Sequence, residues 1–140
     1  MNVVIDTNIW ISALISKKGQ SRDIIRLAFK KKIVPQLSNT LFLEYEAVMK
    51  RNKIQNLCSL NTAEQQELFQ AFLSTCKWNE IFYLWRPNLN DKNDDFLIEL
   101  AIASNSQVII TDNKKDIKSG ELKFGFDILT PIEFLERMKT

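Results

Sequence analysis

Two short runs near the ends of the chain have no polar alternation, and both stop at an aspartate. Val3-Val4-Ile5 leads into Asp6, and Val108-Ile109-Ile110-Thr111 leads into Asp112. A strand that is apolar on both faces must be covered on both faces. That condition is met in the centre of a parallel sheet wrapped by helices, not in a half-solvated antiparallel one. If both runs lie in that centre as neighbours, their carboxyl ends share one edge of the sheet. In open α/β sheets that edge carries the ligand crevice, at the point where the strand order reverses.

The rest of the chain agrees with this class. Ile24, Ile25, Ala28 and Phe29 recur at helical spacing after Ser21, which reads as an N-cap. A second strand is expected over 33–37, with Pro35 suggesting an edge or a strand end. Leu41, Tyr45, Val48 and Met49 form one stripe of a helix capped near Ser38. Another helix, opened by Asn61, carries Leu68, Phe69, Phe72 and Leu73. The aromatic run 80–85 reads as a strand, 91–104 as a helix opened by aspartates and 126–130 as the last strand. Residues 131–138 close the chain as a helix with proline in its first turn. Strands mostly alternating with helices predict a three-layer α/β/α sandwich around a mainly parallel sheet, one domain over residues 1–140.

Composition narrows the chemistry. The 140 residues contain no histidine, which removes imidazole bases and the common zinc sites. Lys and Arg total 19 against 17 Asp and Glu, so net charge does not argue for a nucleic-acid partner. The longest apolar runs are too short to span a membrane, and no signal-peptide pattern opens the sequence. A cytoplasmic location is expected, with Cys58 and Cys76 as thiols.

Four acids are candidates for the sheet edge. Capping of the following helix accounts for Asp6 or Asp112 taken singly, but not for both strands ending alike. In the stretch 91–101, Asp91 fits an N-cap and Asp94 the third helical position, where the helix dipole favours negative charge. Asp95 is left at the border of Phe96, Leu97, Leu100 and Ala101, where a carboxylate needs something bound to it. Glu99, one turn later, could join Asp95, though a surface glutamate is the first reading. Glu44 interrupts the apolar series Leu41, Phe42, Leu43 and Tyr45. Thr7, Asn8, Thr111 and Asn113 flank these acids and suit the orientation of carboxylates or waters. Lys114 and Lys115 suit phosphate contacts. Trp10 and Phe42 read as core residues rather than platforms for an unpaired base.

Taken in order, V-V-I-D-T-N at the N-terminus, S-x-x-L-x-x-E-Y around Glu44, D-x-x-D-D around Asp95 and V-I-I-T-D-N-K-K-D-I near the end resemble the PIN-domain nucleases, in particular the toxin components of toxin–antitoxin pairs. Each motif is weak alone; four in order are specific. The resemblance implies an acidic pocket that binds Mg2+ or Mn2+ and cuts single-stranded RNA, a cognate antitoxin protein as partner, and a homodimer. Carried over, the pocket comprises Asp6, Glu44, Asp95 and a fourth residue after the strand. There the chain departs from the commoner pattern: Asn113 stands where an acid is usual, with Asp112, ranked first, and Asp116 as alternatives.

The chemistry of such a pocket does not depend on the family. Several carboxylates gathered closely raise one another's pKa, and a divalent cation relieves the repulsion. Oxygen ligands without Cys or His suit Mg2+ or Mn2+. The expected function is therefore a metal-dependent endoribonuclease. The alternative is a catalytically silent PIN-like module binding RNA or a protein partner, favoured by Asn113. A phosphoryl-accepting receiver is disfavoured because the run 80–85 offers no acceptor aspartate. A haloacid-dehalogenase-like phosphatase is disfavoured because Asn8 stands where its second aspartate belongs.

Overall fold

The computed structural model describes residues 1–81, 95–113 and 125–139, with Asp95 described by its backbone alone. Its centre is a five-stranded sheet of β1 (Asn2–Ile5), β2 (Val34–Leu37), β3 (Lys77–Trp78), β4 (Val108–Ile110) and β5 (Asp127–Leu129). The order is β3-β2-β1-β4-β5, and every pairing is parallel. The two apolar runs are neighbours, with Val3 opposite Val108, Val4 opposite Ile109 and Ile5 opposite Ile110. All six side chains are fully buried.

The chain winds from β1 outward through β2 to β3, then returns across β1 to β4 and β5. The order therefore reverses between β1 and β4, which makes the gap between their carboxyl ends the switch point. By the general rule that such crossovers are right-handed, the helices of the outward and return paths belong on opposite faces, in keeping with the expected three layers.

Among the described residues the helices are α1 (Thr7–Ile15), α2 (Gln20–Phe29), α3 (Asn39–Met49), α4 (Asn52–Leu57), α5 (Thr62–Thr75), α6 (Asp95–Ala103) and α7 (Pro131–Met138). Ser38 caps α3, accepting from Leu41 N at 3.2 Å. Capping boxes open α5, through Asn61 and Glu64, and α7, through Thr130 and Glu133. The stripe Leu41, Tyr45, Val48 and Met49 is buried as expected. Trp10 is a core residue, stacked on Phe72 at 4.7 Å and tilted against Phe69 at 5.5 Å.

Three expectations need correction, and one lies outside the described residues. The helix over 20–29 is capped by Gly19 at φ 135°, not by Ser21, which lies inside it. That φ belongs to glycine, and it lets the chain turn sharply after α1. The third strand is Lys77–Trp78; residues 80 and 81 belong to no strand, and 82–85 lie outside the described residues. The N-cap and third-position roles expected of Asp91 and Asp94 also fall outside them. Of the two alternatives for Pro35 the edge fails, because β2 lies between β1 and β3, whereas the residue does stand near a strand end, second in Val34–Leu37. Val34 N donates to Met1 O at 2.8 Å, so alternation turns the missing N–H of Pro35 toward β3. The β3 ladder begins only at Gln36, and the missing donor therefore costs no sheet bond.

Candidate active site

The switch point is built from the ends of β1 and β4. Asp6 N donates to Ile110 O at 2.9 Å, extending the β1–β4 ladder by one residue beyond the apolar run. The next step turns β1 into α1, with Asp6 as N-cap, and its Oδ1 accepts from Thr7 N at 2.7 Å. The other carboxylate oxygen, Oδ2, accepts from the hydroxyl of Thr111 at 2.6 Å. Thr111 is fully buried, and its Oγ1 also accepts from Asn113 N at 3.0 Å, which folds the chain beyond β4 back toward the site.

Asp6 therefore caps a helix and also sits in a network. It is only 7 % exposed. Burial holds its pKa above the ordinary 3.8 despite the lowering influence of its bonds to Thr111 and Thr7, and the charges of Glu44 and Asp112 push it further the same way. Two of the acids singled out in the sequence, Glu44 and Asp112, thus come within electrostatic reach of Asp6.

Glu44 arrives from α3. Thr7 Oγ1 donates to Glu44 Oε1 at 2.5 Å, tying the first turn of α1 to the middle of α3. One residue on, the buried Tyr45 hydroxyl donates to Ile5 O, the last carbonyl of β1. Burial, followed by the charges of Cys76, Asp6 and Glu44, raises that phenol well above its usual pKa, so it remains a donor. Tyr45 and Thr7 together fix the height of Glu44 beside Asp6. Tyr45 was placed in the core by its spacing, but nothing in the sequence signals its hydroxyl's role.

The other predicted residues divide clearly. Asp112 and Asn113 are exposed at the end of β4, and Asn8 is exposed on α1. Asp95 opens α6, a helix packed against β1, β2 and β4. Asp116, Lys114 and Lys115 lie outside the described residues. Glu99 is no surface glutamate: it is 4 % exposed and lines a cavity of about 670 Å³ with residues at the start of α3 and the end of β3.

Oxygen donors alone, a buried carboxylate raised in pKa and further acids beside it suit a hard cation such as Mg2+ or Mn2+. Among the described residues, no three acids, cysteines or histidines come close enough to hold such an ion.

An all-parallel open α/β sheet with acids at its switch point is the class that fold and site define. The chain belongs to the PIN domain family, whose sequence profile matches residues 2–115. A curated relative, the uncharacterized protein MJ1680 of Methanocaldococcus jannaschii, is 28 % identical over 152 residues, covering 99 % of this chain and 92 % of that protein. Among solved structures, the chain resembles one in the crystal structure of VapBC2 from Rickettsia felis bound to a DNA fragment from their promoter. There the TM-score is 0.59 at 19 % identity, covering 93 % of this chain and 98 % of that one. That likeness concerns the fold. No helix among the described residues is long and apolar enough to cross a membrane.

Proposed function

We propose that this protein, acting as one domain over residues 1–140, is a metal-dependent endoribonuclease of single-stranded RNA and the toxin of a toxin–antitoxin pair. The observation that carries the reading is the buried Asp6 carboxylate, bonded to Thr111 and within electrostatic reach of Glu44 and Asp112 at the switch point. Family membership supports nuclease chemistry, and the fold shared with a VapBC2 structure supports a toxin–antitoxin setting. In that setting the partner is a cognate antitoxin protein, the chain is a homodimer and the location is cytoplasmic.

In this reading Asp6, Glu44, Asp95 and Asp112 hold Mg2+ or Mn2+, with Asn113 or Asp116 as alternatives for the last. The bound ion supplies an activated water and neutralises charge on the scissile phosphate. Asp6 presents its carboxylate at a fixed angle, because Thr7 N and Thr111 Oγ1 hold one oxygen each. Thr7 aligns Glu44. Lys114 and Lys115 contact phosphate, which steers the strand without reading its sequence.

A second reading, a silent module binding RNA or a protein partner, is favoured by Asn113, exposed after β4 where an acid is usual. The two separate on cleavage of a mixed-sequence single-stranded RNA in Mg2+, Mn2+ or EDTA, beside Asp6→Asn and Asp95→Asn. Cutting that needs metal and is lost in both variants is the expected result. Equal behaviour of wild type and folded variants would leave the silent module.

A further inference from the structure

The cavity on the β2–β3 side of Asp6 has a makeup that metal chemistry does not require. It lies beyond the carboxyl ends of β2 and β3, and Thr40 on its wall is one helical turn before Glu44 on α3. Its volume of about 670 Å³ is in the range of small-molecule sites. Trp78 borders it and is 50 % exposed, an unusual state for a tryptophan. The ring is backed by Phe42 at 5.3 Å, and Phe42 in turn stacks on Phe69 at 5.8 Å, so the platform is anchored in the core.

The polar lining is oriented rather than loose. Asn79 donates its amide nitrogen to Gln36 Oε1 at 3.0 Å, to Lys77 O at 3.1 Å and to Leu37 O at 3.3 Å. Those bonds fix the side chain and leave Oδ1 as an acceptor. Glu99, almost wholly buried on α6, lines the same cavity and brings a carboxylate to its surroundings. A flat aromatic platform, an anchored amide acceptor and a carboxylate are the groups that receive an unpaired base: stacking on one side, acceptance of its edge donors on the other.

We propose that this cavity is a nucleobase subsite for the strand whose phosphate lies at the acids, stacking one base on Trp78 and favouring bases that carry an exocyclic amine. This rests on the nuclease reading for the identity of the strand. Adenine, cytosine and guanine present such a donor, whereas uracil does not.

The test uses fluorescein-labelled 2′-O-methyl hexamers of A, C, G and U, which resist cleavage. Binding by wild type, Trp78→Ala and Trp78→Phe is followed by anisotropy in EDTA, beside cleavage of natural RNA in Mn2+. The expected result is weakest binding of the U hexamer and loss of about tenfold or more in affinity for the other three in Trp78→Ala. Trp78→Phe, which keeps a ring, recovers most of the loss. Equal affinities for wild type and Trp78→Ala overturn the subsite even if the wild type cuts RNA. Trp78-dependent binding without any cutting keeps the subsite and removes the catalytic reading. No binding by wild type overturns the subsite, and cleavage then stands or falls on its own assay.

Discussion

Thr111 Oγ1 and Asp6 Oδ2 meet at 2.6 Å across the β1–β4 switch point, from positions 105 residues apart. The bond lowers the pKa of a carboxyl that burial raises, so it helps keep Asp6 ionised. Thr111→Val has nearly the same shape and removes the donor. It also leaves Asn113 N without its acceptor. Losing such a bond inside a protein costs about 1–3 kcal/mol, more where a charge is involved. We expect denaturant midpoints to fall accordingly and RNA cleavage to drop at neutral pH, with Thr111→Ser restoring both. Equal stability of Thr111→Val and wild type would show that the bond does not form in solution.

Asp6→Asn should separate folding from activity. Asparagine retains an oxygen for Thr7 N and can donate its amide to Thr111 Oγ1, so the network survives. The sign follows from the raised pKa. Below about 3.8 the carboxyl is protonated in folded and unfolded chains and the group contributes no difference. As pH rises past that value the unfolded chain ionises first, and the fold loses stability until the raised folded pKa is passed. In EDTA, Asp6→Asn should therefore melt higher than wild type at pH 7, by about 2–4 °C for each kcal/mol relieved. The gap should close near pH 3. Thermal melts across pH check it; a variant that melts lower at pH 7 would mark Asp6 as a structural cap first.

How much of this was legible beforehand follows from physics. Val3–Ile5 and Val108–Ile110 were readable because a strand buried on both faces leaves no polar alternation, and their shared ending at Asp6 and Asp112 located the switch point. Helix α1 was not readable: Thr7, Ile9, Trp10, Ile11, Ala13 and Leu14 are all buried, so no polar face marks its period. β3 escaped because two residues, Lys77 and Trp78, carry no pattern, whereas the aromatic run after them imitates one. Glu99 was misplaced because an acid on a helix is ordinarily solvated, and only the packing of α6 against the sheet buries it. The bond from Tyr45 to Ile5 O joins a side chain to a backbone carbonyl, which sequence cannot signal.

Cys76 should be a poor nucleophile in the folded chain. Burial pushes its thiol up to about 12, with Thr75 opposing the shift. At pH 8 the thiolate fraction is then roughly one in ten thousand, against about one in four for an ordinary thiol. Iodoacetamide at pH 8 should leave the Cys76 peptide largely unmodified in native protein and alkylate it quickly in denaturant, as read by peptide mass spectrometry. Rapid native labelling would mean that α5 frays at its end.

Divalent metal should stabilise the wild type by linkage. An ion held by ionised Asp6 and its neighbours binds the folded chain and not the unfolded one. At a hundred times its Kd it therefore adds about 2.7 kcal/mol. Mn2+ or Mg2+ should raise the melting temperature at pH 7, and EDTA should reverse the rise. The effect should shrink as acid protonates Asp6, whose raised pKa makes proton and metal compete at higher pH than for an exposed carboxylate. Asp6→Asn, already relieved of the buried charge, should gain little from either ion. Calcium serves as the control, since its larger radius and looser coordination suit a less compact site. A metal-induced rise equal in wild type and Asp6→Asn would place the ion elsewhere, and the carboxylate bonded to Thr111 would then be a cap without a cation.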